Sequence, residues 1–119
     1  MMKTLSEIIK RIDLRRERLK DYLADIVQQL KKMGAIKIVL FGSFISGKIT
    51  PASDLDILVI MPDSKNGKQW LKQVYREIKR DVACDIFVFN SKEYEETKDK
   101  NFFLKQITKK GKVLYEKRI

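Results

Sequence analysis

The chain has 119 residues, of which 44% are apolar and 35% charged, the balance of one globular domain with a modest core rather than of a disordered segment. It contains no histidine and a single cysteine, Cys84. Without histidine, a Ser-His-Asp triad and most zinc sites are excluded, so any bound metal must be a hard cation with oxygen ligands. No apolar run is long enough to span a bilayer or to form a secretory signal, and one cysteine fits a reducing compartment. We therefore expect a cytoplasmic protein that does not enter a membrane.

The formal charge of +10 is distributed over both ends of the sequence. Residues 1–33 carry nine basic and five acidic side chains, and residues 91–119 carry the same numbers. Interleaving of both signs is typical of a solvated surface, and no aromatic residues alternate with the basic ones as in many nucleic-acid grooves. A nucleic-acid partner is therefore an alternative that the charge leaves open but does not favour.

The first third of the chain predicts helices and then a strand. Two apolar stripes at helical spacing occupy residues 1–33, separated by the charged stretch DLRRE at 13–17. We interpret this region as a short helix, a break or bend, and a main helix that ends at Gly34. The β-rich residues 36–41 predict a strand that stops at Gly42.

The rest of the chain alternates strands with helices. Residues 55–61 and 83–89 predict two further strands, with residues 70–78 between them at helical spacing. Ser91, followed by acidic residues within 93–96, is predicted to cap the start of another helix. A last helix around residues 102–107 and a short edge strand around 113–115 complete the chain. The order predicts an α/β (α+β) fold, a small mixed sheet of three to four strands flanked by helices.

Three aspartates stand on strands that are otherwise apolar. Because side chains alternate across a strand, Asp54 and Asp56 share one face, and Asp85 stands alone among the apolar residues of the third strand. Carboxylates in such surroundings are costly unless a cation neutralises them, and no lysine or arginine falls on these strands. Three converging aspartates suit Mg²⁺, which binds a few carboxylates together with phosphate oxygens and water.

The segment between the first two strands predicts an anion site. Gly42 follows a strand directly, and Ser43 can begin a short helix over 43–46, which would present backbone N–H groups and a hydroxyl to phosphate. Ser53, beside Asp54, offers a second hydroxyl. A Gly-Ser pair alone is a common loop, and Asp54 alone could cap a turn, but the spaced pattern together predicts a nucleotide–Mg²⁺ site.

The sequence GSFISG followed by SDLDILV closely resembles the signature of the polymerase-β-like nucleotidyltransferase superfamily, in its minimal nucleotidyltransferase branch. The resemblance covers nearly the whole chain and implies that family's fold, with a helical segment at 1–33, a catalytic core at 36–89 and C-terminal helices with a short strand at 91–119. By position, the resemblance implies that Gly42 and Ser43 bind the triphosphate and that the three aspartates bind metal. One departure is Ser46, which stands where relatives often carry a basic residue.

The resemblance also implies a reaction. An acceptor hydroxyl would attack the α-phosphate of ATP and release pyrophosphate, with two Mg²⁺ ions shared by Asp54 and Asp56. Asp85 would serve the ion on the acceptor side and help to orient or deprotonate the hydroxyl.

A partner is implied as well. Members of this branch are typically paired with a helical HEPN-type toxin, which they adenylylate or bind as antitoxin. Two alternatives stay open: a catalytically silent antitoxin that acts by contact, and a nucleotidyltransferase that acts on RNA or a small molecule. The nucleotide base, the acceptor, and assembly into a homo- or hetero-oligomer are not predicted by the sequence.

Overall fold

The computed structural model describes residues 5–42, 55–79 and 84–117, with the backbone alone at 5–16. The described elements follow one another as α1 (Leu5–Met33), β1 (Lys37–Phe41), β2 (Leu55–Met61), α2 (Gly67–Glu77), β3 (Cys84–Asn90), α3 (Ser91–Thr97), α4 (Phe102–Lys110) and β4 (Lys112–Glu116). The predicted fold class is confirmed, since these elements form a mixed sheet of four strands flanked by helices.

The sheet has the strand order β3-β2-β1-β4. β2 and β3 pair in parallel through the crossover helix α2, whereas β1 pairs antiparallel with both β2 and β4. β1 and β2 are therefore the two central strands. Consistent with this place in the sheet, every residue of β2 except Asp56 is buried.

Helices cover both faces of this sheet. On one face, α1 and α2 pack against alternate residues of β2, which are Leu55, Ile57, Val59 and Met61. Leu30 of α1 and Trp70 of α2 belong to this core. On the other face, α3 and α4 pack against Val39, Leu58 and Ile60. Asp56 precedes Leu58 by two residues and so belongs to the face that α3 and α4 cover.

Helix α1 corrects one expectation from the sequence. It runs without interruption from Leu5 to Met33, so the break expected at DLRRE was wrong. Leucine, arginine and glutamate are strong helix formers and the stretch contains neither glycine nor proline, so a gap in the apolar stripe does not interrupt the backbone. The helix ends as expected at Gly34, whose φ of +106° suits a glycine that follows a helix.

Helix α3 begins one residue earlier than the sequence suggested. The capping residue is Asn90, the last residue of β3, and not Ser91. The Asn90 side chain accepts a hydrogen bond from the Glu93 N–H, and Glu93 Oε1 accepts one from the Asn90 N–H at 2.9 Å. The same carboxylate oxygen accepts the N–H of Gly67 at 2.8 Å, which ties the start of α2 to the start of α3.

No helix in the described part of the chain combines the length and the apolar character needed to cross a bilayer.

Replacement of Glu93 by alanine should lower the free energy of unfolding by about 2 to 3 kcal/mol, because two partly buried backbone N–H groups would lose their acceptor. Urea unfolding measures this difference. Glu96→Ala, at an exposed position of the same helix, is the matched control and should change stability by less than about 0.5 kcal/mol. Equal effects in both variants would show that the shared carboxylate does not hold the two helix starts together.

Candidate active site

Two of the predicted metal-binding aspartates are brought side by side by the sheet. Asp56 and Asp85 are each the second residue of their strand, and the parallel register of β2 and β3 pairs them directly. Neighbouring strands lie about 4.8 Å apart, and paired residues project from the same face, so the two carboxylates stand next to each other. The sequence predicted both residues as metal ligands, and the structure shows the register that places them side by side.

The pair lies where the sheet becomes accessible to solvent. Asp56 is half-buried and Asp85 is exposed, whereas the next five residues of β2 are all buried. Within the described part of the chain, no ion pair or hydrogen bond involves the Asp85 carboxylate. A ligand can therefore reach this carboxylate from solvent while the strand that carries Asp56 stays fixed in the core.

Strand β3 is an edge strand of the sheet, and a hydrogen bond to a neighbouring helix holds its outer side. The N–H of Ile86, directly after Asp85, donates a hydrogen bond to the hydroxyl of Tyr75 at 3.3 Å. Tyr75 belongs to α2, so the crossover helix fixes the strand that it leads into. This contact positions Asp85 relative to Asp56.

Gly42 is the third described part of the site. It follows Phe41, the residue of β1 that pairs with Asp56, and has a φ of +82°. A Cβ atom at Gly42 would lie 3.1 Å from the Asp56 Cγ and would collide with Asp56 Oδ2. Two features therefore require glycine at position 42: the positive φ and the close approach of the backbone to the Asp56 carboxylate.

The remaining predicted site residues, Ser43, Ser53 and Asp54, lie outside the described residues, as does the short helix expected at 43–46. In the sequence, Ser43 follows Gly42 and Asp54 precedes the first residue of β2. Among the described residues there is no group of three or more histidine, cysteine, aspartate or glutamate side chains able to hold a metal. The described part of the site therefore consists of two carboxylates and the glycine beside them.

An aromatic cluster adjoins these carboxylates, and sequence reasoning did not identify it. The rings of Phe41, Phe87 and Phe103 contact one another with centroids 5.5 to 5.7 Å apart. Alternation along β3 places Phe87 on the same face as Asp85, which was a signal available in the sequence. Phe103 comes from α4, and no local pattern indicates that this helix crosses the strands there.

A protein-family model described as polymerase beta nucleotidyltransferase matches residues 21–119. The chain belongs to this nucleotidyltransferase family. Its matched region contains the four described strands and the three described site residues, so the family assignment and the geometry concern the same part of the molecule.

The fold of this nucleotidyltransferase is similar to the crystal structure of a Sulfolobus solfataricus protein that is provisionally named a nucleotidyltransferase. The two structures superpose with a TM-score of 0.65 over 90% of this chain and 88% of the other, at 18% sequence identity. At that identity the likeness concerns the fold alone. No curated protein matches the sequence.

The described donors of the nucleotidyltransferase fit the Mg²⁺ that the signature implies. Asp56 and Asp85 supply oxygen ligands from adjacent strands, and a hard divalent cation takes oxygen ligands and is commonly held by one or two carboxylates. Cys84, the only cysteine, is buried in the core on the opposite face and does not compete as a soft ligand. This donor set suits Mg²⁺ rather than zinc.

The signature implies that the site binds ATP with Mg²⁺, and replacement of Gly42 by alanine is expected to weaken that binding by about tenfold or more, because the new methyl group displaces the Asp56 carboxylate. Titration calorimetry measures the affinity, and urea unfolding measures the stability of the same variant.

Gly34→Ala is the matched control. Gly34 also has a positive φ, but a Cβ there would meet only the Pro62 Cγ, at an ordinary 3.8 Å. Both variants should therefore lose about 1 to 2 kcal/mol of stability from backbone strain, and only Gly42→Ala should lose affinity. Equal ATP affinities in the two variants would contradict the steric role of Gly42.

Proposed function

We propose that this nucleotidyltransferase uses Mg²⁺ to transfer AMP from ATP to a hydroxyl group of a partner protein, a helical HEPN-type toxin, and thereby acts as its antitoxin. The observation that carries the proposal is the in-register pair of Asp56 and Asp85 beside Gly42, one half-buried and one exposed carboxylate next to a glycine turn. The choice of partner rests on the resemblance of GSFISG and SDLDILV to the minimal nucleotidyltransferase signature.

In the proposed reaction, the acceptor oxygen forms a bond to the α-phosphorus of ATP while the bond from that phosphorus to the bridging oxygen breaks. Pyrophosphate leaves, the hydroxyl loses its proton, and AMP remains joined to the acceptor through a phosphodiester bond. Mg²⁺ supplies neutralisation of the charge on the phosphate oxygens.

The residues of the chain have separate tasks in this scheme. Asp56 lies on a central strand whose other residues are buried, and it provides a fixed ligand for Mg²⁺. Asp54 is proposed to bind Mg²⁺ together with Asp56. Asp85 is an exposed residue of the edge strand β3 and is therefore the carboxylate proposed to orient the acceptor hydroxyl and to help remove its proton. Gly42 and Ser43 receive the triphosphate through the backbone and a hydroxyl.

Positioning and neutralisation of charge are sufficient for this chemistry. Transfer of a phosphoryl or nucleotidyl group requires alignment of the attacking and leaving oxygens more than it requires a strong base. A site made of carboxylates, glycine and serine therefore accounts for a nucleotidyltransferase that contains no histidine.

Asp56→Asn should reduce transfer of label from α-labelled ATP to the HEPN-type partner by at least about a hundredfold, because the site loses a charged metal ligand. The measurement is label bound covalently to the partner encoded beside this chain, with Mg²⁺ present and with thermal unfolding recorded for each variant. Asp99→Asn, an exposed acidic position after α3, is the control and should transfer label normally.

The same assay separates the alternatives. Co-purification of the two proteins without any transfer of label would replace the enzymatic proposal with an antitoxin that acts by binding. Transfer to RNA instead of the partner, with a steep loss of RNA binding as salt is raised, would show that the +10 charge serves a nucleic-acid acceptor. Normal transfer by Asp56→Asn would contradict the assignment of the site.

A further inference from the structure

We propose that Phe87 and Phe103 form the surface on which the base of the donor nucleotide stacks, which would make the enzyme selective for purine over pyrimidine nucleotides. The inference rests on the proposed function, because it assigns a second part of the same nucleotide to the site. It concerns residues that the nucleotidyltransferase signature does not include.

The surface is a cluster of three rings of which two remain accessible. Phe41 is half-buried and packs against the core on this face of the sheet, whereas Phe87 is 39% exposed and Phe103 is 46% exposed. The Phe87 and Phe103 centroids lie 5.5 Å apart, with the ring planes inclined by 60°. Each of these two rings also contacts the half-buried ring of Phe41, at 5.7 Å between centroids, so Phe41 packs against both exposed rings.

The cluster is within the reach of a nucleotide whose phosphates lie at the carboxylates. Phe41 pairs with Asp56 and immediately precedes Gly42. Phe87 follows Asp85 by two residues on the same face, which places their Cα atoms about 6.6 Å apart along the strand. The sugar and base of a nucleotide whose triphosphate is bound at Gly42 and Asp56 could therefore reach the rings.

The accessible area fits a single planar base. At these exposed fractions the two rings together present on the order of 150 to 200 Å². A stable protein interface needs about 800 Å² from each partner, so the rings alone are too small to be a docking surface for another protein. Stacking of a base on an aromatic side chain is a common means of holding nucleotides.

Ring stacking also predicts a specificity. Phenylalanine has no hydrogen-bonding group, so these rings cannot distinguish adenine from guanine by their polar edges. They can distinguish a purine from a pyrimidine, because the larger base covers more of the ring surface. ATP and GTP should therefore bind with similar affinities, and CTP and UTP more weakly.

Calorimetric titration with Mg²⁺-ATP and with Mg²⁺-tripolyphosphate tests the assignment, because the second ligand has phosphates but no base. Phe103→Leu and Phe87→Leu should each weaken ATP binding by about tenfold and leave tripolyphosphate binding unchanged. Phe103→Tyr keeps the ring and should bind ATP normally. Phe102→Leu is the matched control, since Phe102 is 75% exposed, neighbours Phe103 and belongs to none of the ring contacts in the described part of the chain.

The outcomes are distinguishable. Unchanged ATP affinity in both leucine variants, or equal loss for ATP and tripolyphosphate, would overturn the stacking role and leave the proposed function standing. Weaker capture of the HEPN-type partner with unchanged ATP affinity would reassign the rings to protein docking and also overturn it. If the unaltered protein bound neither ligand with Mg²⁺, the proposed function would fail together with this inference.

Discussion

The register of strand β2 is the constraint on which the candidate site depends. β2 pairs antiparallel with β1 and in parallel with β3, and through these two pairings Asp56 is placed opposite Phe41 on one side and Asp85 on the other. A slip of one residue would turn Asp56 toward the core beneath α1 and α2. Burial of both faces prevents that slip, because Leu58 packs under α3 and α4 while Leu55 packs on the opposite side. The apolar core thus fixes the position of the polar site.

The same arrangement explains why a small chain without histidine can support nucleotidyl transfer. The reaction needs charge neutralisation and alignment of the reacting oxygens. Both come from residues whose backbone is held in place by strand pairing. Asp56 is fixed by its central strand, Asp85 by the contact of its strand with Tyr75, and Gly42 by the turn that ends β1. Each of these three residues is therefore positioned by an element that the core already stabilises.

The sequence predicted local structure well and long-range placement less well. The strand at 55–61 was predicted with its observed bounds, because a β-rich apolar run ends there at Pro62. The helix break expected at DLRRE was wrong, because the helix propensity of its residues predicts the backbone conformation better than the continuity of the apolar stripe does. The pairing of Asp56 with Asp85 and the arrival of Phe103 beside Phe87 depend on sheet register and helix packing, which no local pattern encodes. The roles assigned to all six site residues stay predictions: Gly42, Ser43, Ser53, Asp54, Asp56 and Asp85.

The central claim is that Asp56 and Asp85 together hold a divalent metal that meets the phosphates of a nucleotide. The most direct measurement is a crystal structure of the protein with Mn²⁺ and a non-hydrolysable ATP analogue, with anomalous scattering used to locate the metal. The account predicts an anomalous peak between the two carboxylates, with phosphate oxygens in the same coordination sphere. Triphosphate bound elsewhere, or metal bound away from both aspartates, would contradict it.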